Sequence, residues 1–190
     1  MRHFLVSVLA VILLAAAAPA IGQATYTYQG NPFDTAFAPY TTSMSVSGSF
    51  QVAAPLPASS VINLSASVQQ YSFGDGIEVR NEGNSTICQF SVTTNAAGAI
   101  TAYDIWLRES GAADPQHSLE ARATTDLAGF ASPNAGCGAA ALNPFASVNG
   151  QPGVWTSPVR AIEPVPSLSQ IGLGLFAALM AGFAVWRMAA

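Results

Sequence analysis

Apolar and polar residues alternate with a period of two through most of the middle of this chain. Met44, Val46, Phe50 and Val52 interleave with Ser45, Ser47, Ser49 and Gln51, and Ile62, Leu64, Ala66 and Val68 with Asn63, Ser65, Ser67 and Gln69. Cys88, Phe90 and Val92 repeat the pattern. So do Tyr103, Ile105 and Leu107, which set Asp104, Trp106 and Arg108 on the other side. Successive side chains of a strand point to opposite faces, so each run predicts a strand with one face to a core and one to water. Hydroxyl and amide groups fill the wet faces, where charges are more usual.

Turn chemistry separates the runs. Gly74-Asp75-Gly76 supplies positive φ for a hairpin between Tyr71–Phe73 and Ile77–Val79, and there Asp75 reads as a turn former. Asn95-Ala96-Ala97-Gly98 joins the Phe90 strand to the Tyr103 strand, and Pro55 and Pro57 end the Val46 strand because neither can donate to a ladder. Further strands are expected at Tyr26–Tyr28, Leu119–Thr124 and Val154–Val159. Residues 128–153, rich in Gly, Ala, Pro and Asn, read as one long loop. The fold class expected is all-β, a single antiparallel β-sandwich-like ectodomain.

The two ends follow other rules. Arg2 and His3 precede an apolar stretch from Phe4 to Leu14 and a small-residue tail, the pattern of a secretory signal peptide over 1–24, cleaved after Ala24 or, alternatively, Ala20. From Leu168 to Trp186 there is no charge, enough for a helix to cross most of a ~30 Å hydrocarbon core. Arg187 follows, as the positive-inside bias favours on the cytoplasmic side. The expected organisation is therefore signal peptide 1–24, β-rich ectodomain 25–160, stiff stalk 161–164, and a C-terminal segment 165–190 carrying a transmembrane helix.

That segment opens with Val165, Pro166, Ser167, Leu168, Ser169, Gln170, Ile171 and Gly172. It resembles the IPTL-CTERM sorting signal, usually Ile-Pro-Thr-Leu-Ser-Glu-Trp-Gly. Pro166, Leu168, Ser169 and Gly172 match outright, Val165, Ser167 and Gln170 are close replacements, and Ile171 stands in place of Trp. The resemblance implies an exported bacterial protein handled, like the related PEP-CTERM proteins, by an exosortase-family membrane transpeptidase. It implies an inner-membrane stage and then the cell surface or extracellular matrix. The body is also similar to a recurrent, uncharacterised ectodomain of PEP-CTERM-type proteins. The similarity runs through Tyr26-Thr27-Tyr28-Gln29-Gly30-Asn31-Pro32-Phe33, Ser47-Gly48-Ser49-Phe50, Phe73-Gly74-Asp75-Gly76 and the Phe90 to Ile105 strands. It implies architecture and habitat but no activity.

Charge and composition narrow the chemistry. Between Thr25 and Pro164 lie four arginines and ten acids, a net charge of −6, and the whole chain has no lysine. Such a surface has no basic patch for phosphates, which argues against nucleic acid, and no amine for a Schiff base. Cys88 and Cys137 both fall in the exported part, where an oxidising compartment favours a disulfide over a metal pair or free thiols. His117, within Asp114-Pro115-Gln116-His117-Ser118, reads as a surface histidine, because neighbours so close in sequence cannot fold back as a triad. The pairs Asp104 and Glu109, or Glu78 and Glu82, are candidates for hydrolysis only by default. No catalytic residue, cofactor or metal site is expected. Trp106 and Trp155, with the hydroxyl-rich strand faces, are candidates for a carbohydrate platform. The leading expectation is a non-catalytic, sorted envelope protein; the alternatives are a polysaccharide-binding module of an exopolysaccharide matrix and, after it, a secreted hydrolase.

Overall fold

The computed structural model describes residues 22–150 and 153–158, all of them strand, turn or loop. Most of the expected signal peptide (residues 1–21 of 1–24), the expected stalk at 161–164 and the expected sorting segment at 165–190 lie outside the described residues. Twelve strands follow in order: β1 (Ala24–Gly30), β2 (Thr35–Ala36), β3 (Ser47–Val52), β4 (Val61–Asn63), β5 (Gln70–Gly74) and β6 (Val79–Asn81), then β7 (Ser85–Thr94), β8 (Ile100–Glu109), β9 (Gln116–Arg122), β10 (Thr125–Ala131), β11 (Leu142–Asn149) and β12 (Gly153–Thr156). They form two antiparallel sheets, one of five strands in the order β12-β1-β3-β5-β6 and one of seven in the order β2-β11-β10-β9-β8-β7-β4. The all-β, sandwich-like class expected from the alternation is what the described residues adopt.

The two inner faces meet over an aromatic core. Tyr26 stacks on Phe50 with ring centroids 5.1 Å apart, and Phe50 meets Phe90 edge-on at 5.2 Å across the sheets. Such pairs add about 0.5–1.5 kcal/mol each beyond the area they bury. Trp155 of β12 packs on Tyr28, Phe50, Phe73 and Tyr103 at 5.0–6.3 Å, so an expected platform ring is a wall of the core instead.

Several expected boundaries move, each for a local reason. The alternation at 62–69 yields only β4. After it the Asn63 side chain accepts from Ser65 N at 2.9 Å and Val68 N donates to the Leu64 carbonyl at 2.9 Å, closing a turn that buries Leu64. The Gly74 hairpin re-pairs at Val79, not Ile77, because the Asp75 carboxylate takes the N–H groups of Ile77 and Glu78 at 2.9 and 2.8 Å and holds them in the loop. Gly76, at φ +95°, is where that loop needs a residue without Cβ.

The largest difference lies in 128–153. This stretch contains the end of β10 and all of β11, paired from Thr125↔Asn149 to Ala131↔Leu142. Its inward positions include Ala128 and Ala146, both fully buried, beside Phe130 and Val148, and the small residues among them carry little strand signal. The true loop is a ten-residue strap, residues 132–141, held to β7 by the Cys88–Cys137 disulfide with Cα atoms 5.3 Å apart.

The bridge spans 49 positions, and cross-linking a loop of that length stabilises by about 4 kcal/mol on the chain-entropy account. Replacing both cysteines with serine is expected to lower the unfolding free energy by about that amount in denaturant titrations, with the all-β circular dichroism retained. An unchanged midpoint would show that the strap contributes nothing to the fold.

Candidate functional site

Two polar clusters bridge the sheets through an otherwise apolar interior. The first is centred on His117, which lies on the inner face of β9 and is fully buried. The expectation of a surface histidine is therefore wrong. Gln116 to Arg122 form a strand in the larger sheet, and the odd positions of that strand face inward with Leu119 and Ala121. From the smaller sheet, Arg80 of β6 donates Nε–H to His117 Nδ1 at 2.9 Å. Arginine Nε is only a donor, so Nδ1 must be bare and the proton sits on Nε2. That proton points at Asp75 Oδ2, 2.7 Å away. Tyr40, in the segment between β2 and β3, donates its hydroxyl to the same oxygen at 2.9 Å.

Around this line stand two more acids. Arg80 Nη2 lies 3.1 Å from Glu78 Oε2 and Nη1 lies 3.7 Å from Glu109 Oε1, while the other Glu109 oxygen accepts from His117 N at 3.0 Å. Burial would push the Asp75 carboxyl up, but the bonds from His117 and the backbone N–H groups of Glu78 and Ile77 outweigh it and hold it below the usual carboxylate value. The Tyr40 phenol is pushed well above its ordinary value by burial and by the Asp75 charge. Asp75 is thus both the expected turn former and the acceptor at the centre of the cluster. The partners of His117 do not lie beside it in the chain: Asp75 and Arg80 come from 42 and 37 positions away.

The second cluster is Tyr103–Tyr28–Asp126. Tyr103 OH donates to Tyr28 OH at 3.0 Å, and Tyr28 OH donates to the Asp126 carboxylate at 2.7 Å. Tyr28 belongs to the smaller sheet, Tyr103 and Asp126 to the larger. Gly30 lets β1 come this close, since a Cβ there would lie 2.7 Å from Asp126 Oδ2. Desolvation dominates at Asp126 and raises its carboxyl from 3.8 to about 7, even though Tyr28 and the Arg122 N–H pull the other way. Tyr103 is raised to about 12, again by burial.

Neither cluster is an open active site: His117, Asp75 and Asp126 are all fully buried. Both have the geometry of inter-sheet clamps. The other acids considered for hydrolysis are engaged, Asp104 3.2 Å from Arg122 Nε and Glu82 accepting from Tyr71 N at 3.3 Å. Trp106 lies half-buried on the outer face of the larger sheet and donates Nε1–H to Ser118 Oγ at 3.1 Å. The outer face of the smaller sheet holds an open polar groove of about 410 Å³ bordered by Ser49, Gln51, Gln70, Ser72, Asn81 and Glu82. Among the described residues, no three His, Cys, Asp or Glu side chains come together in a way that could hold a metal ion.

The chain matches no protein-family model, no curated protein and no solved structure in comparisons of sequence and fold.

The two buried aspartates bias stability in opposite directions with pH. Asp75, held low, contributes stability above the ordinary carboxylate value that is lost as pH falls. Asp126, held high, contributes fully below 3.8 and loses that contribution as pH rises through about 7, a change on the order of 4 kcal/mol. Glu120, raised by burial against the pull of Arg122 and Arg108, has the same sign as Asp126. Unfolding free energy is therefore expected to decline from pH 4 to pH 7.5, and Asp126→Asn to flatten most of that decline. A variant with the wild-type slope would remove Asp126 as its source.

Proposed function

We propose that the chain is a non-catalytic exported protein, held in the inner membrane by its C-terminal segment and processed by an exosortase-family transpeptidase for delivery to the cell surface or extracellular matrix. The observation that carries this reading is the order of features at the C-terminus: the proline-led motif 165–172, an uncharged run to Trp186, then Arg187. The Cys88–Cys137 disulfide supports it, because such bridges persist in oxidising compartments. So does the assignment of the strongest acid–base chemistry, His117 with Asp75, to a closed inter-sheet clamp. A substrate could not reach these groups without parting the sheets.

Mass spectrometry of surface-localised protein is expected to find termini lacking Arg187. An intact Arg187-containing terminus in every surface copy contradicts the proposal.

The second reading is a polysaccharide-binding module of the matrix. Two separate surfaces favour it: the half-buried Trp106 on the outer face of the larger sheet, and on the outer face of the smaller sheet the groove of paired amides and hydroxyls, where Gln51 faces Gln70 and Ser49 faces Ser72 across the ladder. Glycan-array binding is expected, reduced about tenfold by Trp106→Ala, the size of losing one ring–sugar contact of about 1–1.5 kcal/mol. Binding indifferent to that substitution removes the ring from the site.

A further inference from the structure

The outer face of the larger sheet contains a cation that its surroundings do not satisfy. Arg108 of β8 points away from the core, yet the residue is only 2 % exposed. Its guanidinium carbon lies 5.3 Å from the centroid of the Trp106 ring. Of five N–H donors, those on Nε and Nη1 have no acceptor, and the one contact made, Nη2 to the Gly138 carbonyl, is 3.5 Å long. On the same face of the neighbouring β9, Gln116 gives its amide N–H to the Glu109 carbonyl at 2.7 Å but leaves Oε1 buried and without a donor. Ser118, opposite Arg108 in register, is also fully buried. The strap that contributes Gly138 is held by the disulfide at Cys137 and by Asn134, whose amide donates to the Gly111 and Ala113 carbonyls at 3.0 Å.

A buried guanidinium with vacant donors is costly, and hydrogen-bonded carboxylates are its natural complement. The vacant acceptor on Gln116 asks for a hydroxyl in addition. We propose that this strap-covered face is a binding site for an acidic sugar, with Arg108 taking the carboxylate, Gln116 a hydroxyl, and Trp106 supplying the apolar wall. The proposal deepens the polysaccharide reading by naming its substrate class. The strap acts as a cover: ligand replaces the weak Gly138 contact, and the Cys88–Cys137 bridge limits how far the cover lifts. Glu120, which faces the same side, lies 2.9 Å from Arg122 and also attracts Arg108 through space, so it offsets part of the Arg108 charge but fills none of the unpaired Nε and Nη1 donors that the ligand would take.

Titration calorimetry of the full chain in detergent, with D-glucuronate as probe and D-glucose as neutral control, tests this directly. Saturable binding of glucuronate and not of glucose is expected. Arg108→Gln is expected to abolish it and Arg108→Lys to weaken it by about tenfold, a point charge replacing a planar fork. The Cys88→Ser/Cys137→Ser variant, its strap freed, is expected to bind at least as tightly as wild type. Thermal unfolding of each variant confirms a folded protein, and Arg108→Lys keeps the charge should Arg108→Gln fail to fold. Absence of saturable glucuronate binding in both wild type and the strap-freed variant overturns the proposal, as does equal binding of glucose or binding unchanged by both Arg108 substitutions. Neutral-glycan binding that needs Trp106 but ignores Arg108 overturns it while leaving the polysaccharide reading standing.

Discussion

The hydrogen bond from Arg80 Nε to His117 Nδ1 is the constraint around which this sandwich is organised. It crosses from the smaller sheet to the larger at 2.9 Å, and it fixes the histidine tautomer. The tautomer in turn aims a proton at Asp75, and Asp75 holds both Tyr40 and the β5–β6 loop. Apolar burial alone is non-directional, so two aromatic faces could slide over one another at little cost. A buried polar line with fixed donors and acceptors tolerates far less displacement, because each broken member leaves an unpaired group in a low-dielectric interior. Tyr28–Asp126 repeats the device at a second point, and two clamps fix the sheets in translation and rotation. That buried polar groups here confer such uniqueness is a hypothesis, and it would fail if a variant with both clamps replaced by apolar residues kept one sharply defined native state.

Much of the fold was legible because half-buried antiparallel strands write their period into the chain. The runs around Phe50, Phe90 and Ile105 predicted strands that formed, and Asn95–Gly98 closes the β7–β8 hairpin with Gly98 at φ +77°. What was not legible has two physical causes. β10 and β11 place Asp126, Ala128 and Ala146 among their inward positions, so a buried acid and small residues break the hydrophobic alternation there. β9 is buried on both faces, so Ser118 and Gln116 looked wet in sequence and are dry in the fold.

The polar clusters were hidden for a related reason. A histidine's partners are set by topology, and Asp75, Arg80 and His117 meet only after the chain has crossed between sheets. The signal available in sequence was scarcity: one histidine in the body, and few charges of any kind to bury beside it. The same scarcity makes Arg108 informative. In a body with so few cations, one held almost entirely out of water with vacant donors separates the outer face of the larger sheet from the simple hydroxyl-covered faces elsewhere. The interior thus accounts for the stability of the sandwich, and the outer faces carry the surfaces open to a partner.

The most direct test of the clamp is nitrogen NMR of the His117 imidazole in the folded, disulfide-intact protein at neutral pH. The geometry predicts a single ring state with the proton on Nε2 and a bare, hydrogen-bonded Nδ1, lost together when Arg80 is replaced by methionine. A proton on Nδ1, or a ring that exchanges freely between tautomers, would contradict the account.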